Sequence, residues 1–152
     1  MMRIVSASLY TMGLIQMAVY LVTAFSFYKL ATIRRVPNAW LAFIPFFQLY
    51  IVGYIGDTLK YNTAPFNRYL NDIPLAYALP LLSILSGVVG RLPMIGFIGS
   101  SLLSLLVFVG QVLVYLFVFE QYVPQNKFLF TILSLIPVVG PCLILYAIRD
   151  YR

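Results

Sequence analysis

Residues 95–119 read IGFIGSSLLSLLVFVGQVLVYLFVF, an apolar run without a single charged residue. A membrane-spanning helix needs roughly 20 such residues, and a helix that is apolar on every side has to be surrounded by apolar material. The run therefore reads as a transmembrane helix. Four more apolar runs lie near residues 4–30, 39–56, 73–90 and 128–148, separated by short polar breaks.

Composition extends this reading to the whole chain. The 152 residues are 62% hydrophobic and 9% charged, with a mean hydropathy of +0.96. Soluble domains run about 45–50% apolar and about 25% charged, and a small soluble core cannot hide so much apolar surface. The expected fold is all-α: one polytopic transmembrane helix bundle over residues 1–152, with about five apolar segments, four or five of them crossing. Helices follow because backbone groups in lipid must be satisfied within their own segment, and the runs are too long and continuous for barrel strands. The first run is also too long for the apolar core of a signal peptide and is expected to stay as a span.

The second run is less regular. Trp40 opens it beside Arg34 and Arg35, where an amphipathic ring and two cations make natural interface anchors. Pro45 falls within it, so the run either crosses with a kink or dips in and returns. Pro137 and Pro141 interrupt the fifth run, and all three prolines are expected to kink helices. Ile44-Pro45 and Ile136-Pro137 echo one another, each with a tyrosine nine residues after the proline (Tyr54 and Tyr146). Short proline-interrupted segments at matching places are a pointer to repeats that build midplane sites in transporters.

Charge is sparse and confined to the breaks. Ten Lys/Arg against four Asp/Glu give a net charge of +6. Basic residues lying between apolar runs imply topology control and contact with anionic lipid head groups, not nucleic acid. The longest polar stretch, residues 57–72, contains Asp57, Lys60, Arg68 and Asp72, interrupted by Tyr61, Phe66 and Tyr69. Whether the second run crosses or returns, the basic residues divide six to four between the two sides. Either way the first loop, with Lys29, Arg34 and Arg35, is cytoplasmic.

Chemistry is nearly absent. There is no histidine and Cys142 is the lone cysteine, so zinc, haem and non-haem iron lack their usual ligands. No phosphate-cradling loop or nucleophile elbow occurs. No metal, cofactor or catalytic residue is expected. Deep in the runs the notable polar residues are Gln16, Gln48 and Gln111, which can hydrogen-bond between helices or line a neutral path. Small residues recur at four-residue spacing as Ser83/Gly87, Ser86/Gly90 and Gly96/Ser100/Ser104. That spacing stacks them on one helix face and predicts a close packing seam between the third and fourth runs.

The stretch 37–50, PNAWLAFIPFFQLY, resembles a segment of small multi-pass membrane proteins of Gram-positive bacteria, most of them uncharacterised. Trp40, Ile44, Pro45 and Tyr50 match their W-x-x-x-I-P-x-x-x-x-Y pattern, with Gln48 where asparagine is usual. A second element, Ile136-Pro137, lacks the Trp and the Asn. The resemblance implies a bacterial plasma-membrane setting and transfers no functional residue.

Three roles then compete. The first is a non-enzymatic accessory or interaction protein that works through a membrane-protein partner or as a homo-oligomer. The second is a small transporter, channel or lipid-handling protein with proline-broken helices along a neutral path. The third, an enzyme using loop acids such as Asp57 and Asp72, ranks last because no set of nucleophile, base and stabiliser can be assembled.

Overall fold

The computed structural model describes residues 2–62, 70, 72–93 and 96–151, with side chains from Met12 onward except that of Asn62. Arg68, Phe66, Tyr69 and Arg152 therefore lie outside the described residues, as does the side chain of Arg3. Six α-helices are described, and no strand occurs among the described residues: α1 (Met2–Ile33), α2 (Pro45–Leu59), α3 (Leu75–Val89), α4 (Gly96–Tyr122), α5 (Lys127–Leu133) and α6 (Val139–Ala147). Two are long and apolar enough to cross a membrane, α1 over Met12–Ile33 and α4 over its whole length.

α1 ends where its backbone turns left-handed. Arg35 has φ 55°, and the Val36 N–H donates to the Ala31 carbonyl at 2.9 Å. This is a Schellman-type closure made by a residue other than glycine, with Pro37 directly after it. Asn38, at φ 57°, turns the chain again. One 3-10 segment, Ala39–Phe43, then climbs back along α1. The Tyr20 hydroxyl donates to the Phe43 carbonyl at 2.7 Å. Ile44 is extended, and α2 begins with Pro45 and runs back down. At the base, Arg34 donates to the Thr58 carbonyl at 2.9 Å. Over the second apolar run the chain thus goes up through Ala39–Phe43 and back down through α2.

The fifth run behaves the same way. α5 and α6 have 7 and 9 residues, lengths of about 10 and 14 Å at 1.5 Å per residue, too short to cross. Lys127 pairs with Glu120 at 2.9 Å, and Phe130 packs edge-on against Phe119. After the turn at Leu135–Val138 the chain comes back, with Tyr146 against Phe130 and Tyr151 against Tyr122. The single helix expected over 128–148 is instead a helical hairpin.

The kinks expected at Pro45, Pro137 and Pro141 are accordingly not there. Pro45 is the first residue of α2, Pro137 lies in the turn before α6, and Pro141 is in the first turn of α6. The first N–H groups of a helix have no intrahelical acceptor, so a proline there removes nothing and presets φ. Among the described residues, Pro80 is the proline that does sit inside a helix, α3.

α3 and α4 complete the frame as an antiparallel pair. Gly53 of α2 lies against Leu75 and Ala76 at the start of α3, and Gly110 of α4 lies against Leu79. The seam expected from small residues forms from one register. The Ser86 and Ser104 hydroxyls are 2.8 Å apart, and Ser86 also donates to the Ser100 carbonyl at 3.1 Å. Gly90 meets Ser100, and Gly96 sits over the Val89 carbonyl. The other register faces elsewhere: Gly87 looks into open space, and Ser83 is half-buried without a hydrogen bond.

One end of the bundle gathers the C-termini of α1, α2, α4 and α6 and the N-terminus of α3. The described side chains there include Lys29, Arg34, Arg35, Lys60, Lys127 and Arg149. At the opposite end the only described cation is Arg91.

Candidate functional site

The tips of the two hairpins flank a cavity between α1 and α4. It has two lobes. One, of about 150 Å³, is lined by Thr23, Phe27, Gln48, Leu49, Val52, Gln111 and Tyr115. The other, of about 250 Å³, is lined by Val19, Thr23, Phe108, Gln111, Val112, Tyr115, Ser134, Leu135 and Pro137. Both are roomy enough for water, which needs only about 10–15 Å³ and a few polar partners.

Each polar group is placed by its helix. Gln111 and Tyr115 stand four residues apart on α4, hence on one face. Gln48 lies in the first turn of α2, and its N–H donates to the Ile44 carbonyl at 2.8 Å. Thr23 donates its hydroxyl to the Val19 carbonyl at 2.8 Å, leaving its lone pairs for the cavity. Ser134 likewise donates to the Thr131 carbonyl at 2.6 Å. The side-chain amides of Gln48 and Gln111 have no hydrogen-bond partner among the described residues, and both are half-buried toward this space. No charged residue lines either lobe.

The hairpins are held firmly around it. The Ser26 hydroxyl of α1 lies 3.0 Å from the Pro141 carbonyl of α6, and Val114 of α4 packs on Gly56 of α2. Each long helix therefore braces the returning helix of the other's hairpin. Gly140 lies under the Tyr115 hydroxyl and the Ser134 carbonyl, so that a methyl group there would meet the Ser134 oxygen at 2.9 Å.

Of the three glutamines singled out in the sequence, Gln48 and Gln111 come together and Gln16 does not. Gln16 is exposed on a stretch of α1, residues 12–18, that is exposed on every side. Among the interface anchors, Arg35 is exposed and Trp40 is 57% exposed. Arg34 instead turns inward to the Thr58 carbonyl and to the Tyr122 side chain. Sequence reasoning did not single out Tyr115 and Ser134. A tyrosine deep in an uncharged run, one turn from a glutamine, was the available signal for the first.

The loop acids make a different kind of site. Both Asp57 and Asp72 line an open cleft with Lys60. Asp57 accepts the N–H groups of Leu75 at 3.0 Å and Ala76 at 2.9 Å and pairs with Lys60 at 2.9 Å. Its two oxygens are thus occupied in capping α3, and its geometry is structural. Among the described residues no three potential metal ligands converge.

Comparison of the chain with protein-family models, with curated proteins and with solved structures finds no match, so the reading of the site rests on its own geometry.

Proposed function

We propose that the chain is a multi-pass membrane protein that holds and passes a small uncharged polar solute between its two hairpins. In this reading α1, α3 and α4 cross the bilayer, while the segments 36–59 and 123–148 are re-entrant. Support for the membrane comes from α1 and α4, whose most apolar stretches are only 28% buried within the protein. A core helix of a soluble protein would hide its apolar residues among its neighbours.

Six described cations at one end against Arg91 at the other support a cytoplasmic hairpin end. Thr23 stands ten residues before the end of α1, and Gln111 eleven before the end of α4. At 1.5 Å per residue both are about 15 Å inside, near the middle of a hydrocarbon core about 30 Å thick. Irregular backbone at that depth is tolerated where it lines a cavity, and a bacterial plasma membrane is the setting.

The observation that carries the function is a pair of adjoining uncharged lobes that share Thr23, Gln111 and Tyr115, with Gln48 on one and Ser134 on the other. The test is light-scattering of proteoliposomes swelling in glycerol or urea. Wild-type protein should raise permeability above empty liposomes, and Gln48→Ala or Gln111→Ala should each cut that increment by about three- to tenfold, the loss of one hydrogen bond. Gln16→Ala should leave it unchanged. Liposomes no leakier than empty ones would refute passage.

A second reading, a partner-dependent accessory protein, draws on the outer part of α1. Met12 is 72% exposed and Leu14 68%, and Gln16 offers an amide on that same unpacked stretch. Polar side chains of this kind can join helices across a membrane. Mild-detergent purification with intact-mass measurement decides it: a stoichiometric second protein that is lost on Gln16→Leu favours the accessory role, and a lone chain dismisses it.

A further inference from the structure

The two lobes share three residues, Thr23, Gln111 and Tyr115. Phe27 of the smaller lobe is one helical turn from Thr23 toward the basic end. Val19 of the larger lobe is one turn toward the opposite end, and Phe108 is nearly a turn from Gln111 in the same direction. Gln48, Leu49 and Val52 of the first hairpin close the smaller lobe, and Ser134, Leu135 and Pro137 of the second close the larger. The lobes therefore lie on the two hairpin sides of the α1–α4 pair, and the three shared residues stand between them.

We infer that Thr23, Gln111 and Tyr115 form a selective neck that admits small neutral molecules carrying both hydrogen-bond donors and acceptors, and rejects ions. The inference rests on the solute reading above for its biological meaning. Its chemistry comes from the three side chains. Thr23 has already given its hydrogen to Val19 and offers only an acceptor. Gln111 offers an amide with both donor and acceptor, and Tyr115 a hydroxyl that can act either way. A neutral solute can exchange its water hydrogen bonds for these. An ion finds no counter-charge, because the nearest ionised residues on α4 and its connection, Glu120 and Lys127, are paired with each other at 2.9 Å. A desolvated charge at this depth is strongly disfavoured.

The neck can be tested without any measurement of flux. Cys142, the one native cysteine, is exposed and is replaced by alanine. Thr23→Cys is introduced in that background, with Gln111→Cys as a parallel variant should the first fail to fold. The purified full-length protein in liposomes is treated with neutral methyl methanethiosulfonate or with its sulfonatoethyl and trimethylammonium-ethyl analogues, and labelling is read by intact mass.

The neutral reagent should label the neck on the order of a hundredfold faster than either charged one, and Tyr115→Trp should suppress that labelling. A thiol must ionise to react, which water in the lobes permits and lipid does not, so Met17→Cys on the lipid-facing stretch should remain slow with every reagent. An exposed Gln125→Cys should react with all three. Equal labelling of the neck by charged and neutral reagents overturns the inference, and so does a neck that none of them reaches. Selective labelling combined with no solute flux would keep the neck as a binding pocket and remove only the passage reading.

Discussion

Asp57→Ala is expected to destabilise the protein by about 4 kcal/mol, combining a broken buried ion pair with a lost helix cap. Asp57 joins three elements with one carboxylate. It stands near the end of α2, accepts the Leu75 and Ala76 N–H groups, and faces the Lys60 ammonium. The first N–H groups of α3 have no intrahelical acceptor, and the cap residue before them, Pro74, provides no side-chain bond. The carboxylate therefore fills a vacancy that the sequence of α3 itself leaves open.

Lys60 is only 3% exposed and otherwise donates to the Ile73 carbonyl at 2.8 Å. Removing Asp57 leaves that ammonium buried without a counter-charge, the costly half of breaking such a pair. Adding Lys60→Met to Asp57→Ala should restore most of the loss, leaving about 1 kcal/mol for the missing cap. Thermal unfolding in detergent, followed by intrinsic fluorescence, measures both. A single variant as stable as wild type would mean that the Asp57 contacts contribute nothing to holding α3.

Gly53→Ala is expected to cost about 3 kcal/mol, at the upper end of overpacking effects. The added methyl would press on the Leu75 carbonyl and stand 2.7 Å from the Ala76 Cα. These are backbone atoms at the start of α3, and they cannot turn aside as a side-chain end would. Relief would need α2 and α3 to separate, which would also pull Asp57 from the N–H groups it caps. Gly87→Ala makes the same chemical change in open space, and better helix propensity should leave it neutral or stabilised by up to about 1 kcal/mol. The same unfolding measurement on both variants, with opposite signs expected, separates close packing from propensity.

The two long helices were legible because hydrophobic length is a direct physical signal: α1 and α4 fall close to the first and fourth apolar runs, and the shorter α3 falls within the third. The seam was legible as well, since four-residue spacing of Ser86, Gly90, Gly96, Ser100 and Ser104 fixes a helix face. The choice of register was not, because Ser83 and Gly87 carry the same spacing and only the rotation of α3 separates them.

The hairpins were half legible. Hydropathy cannot distinguish a run that crosses from one that folds back. That is decided by contacts far apart in sequence, such as Arg34 with Thr58 and Tyr122 with Tyr151. Proline gave the available clue: Pro45 left a kinked crossing and a return both open, and in the structure it opens a helix. The site was legible only in its residue types: three glutamines look alike in sequence, and the direction each faces comes from packing.

Cysteine-accessibility mapping of the loops tests the central claim, three crossings with two hairpins returning to the basic end, most directly. Single cysteines at Arg35, Tyr61, Arg91, Gln125 and Tyr151 in the Cys142→Ala background would be labelled in intact cells and in inverted vesicles with a reagent that cannot cross the membrane. The account predicts that Arg35, Tyr61, Gln125 and Tyr151 report the cytoplasmic side and Arg91 the outside. Five crossing helices would place Tyr61 and Gln125 outside and Arg91 inside, and that pattern would contradict it.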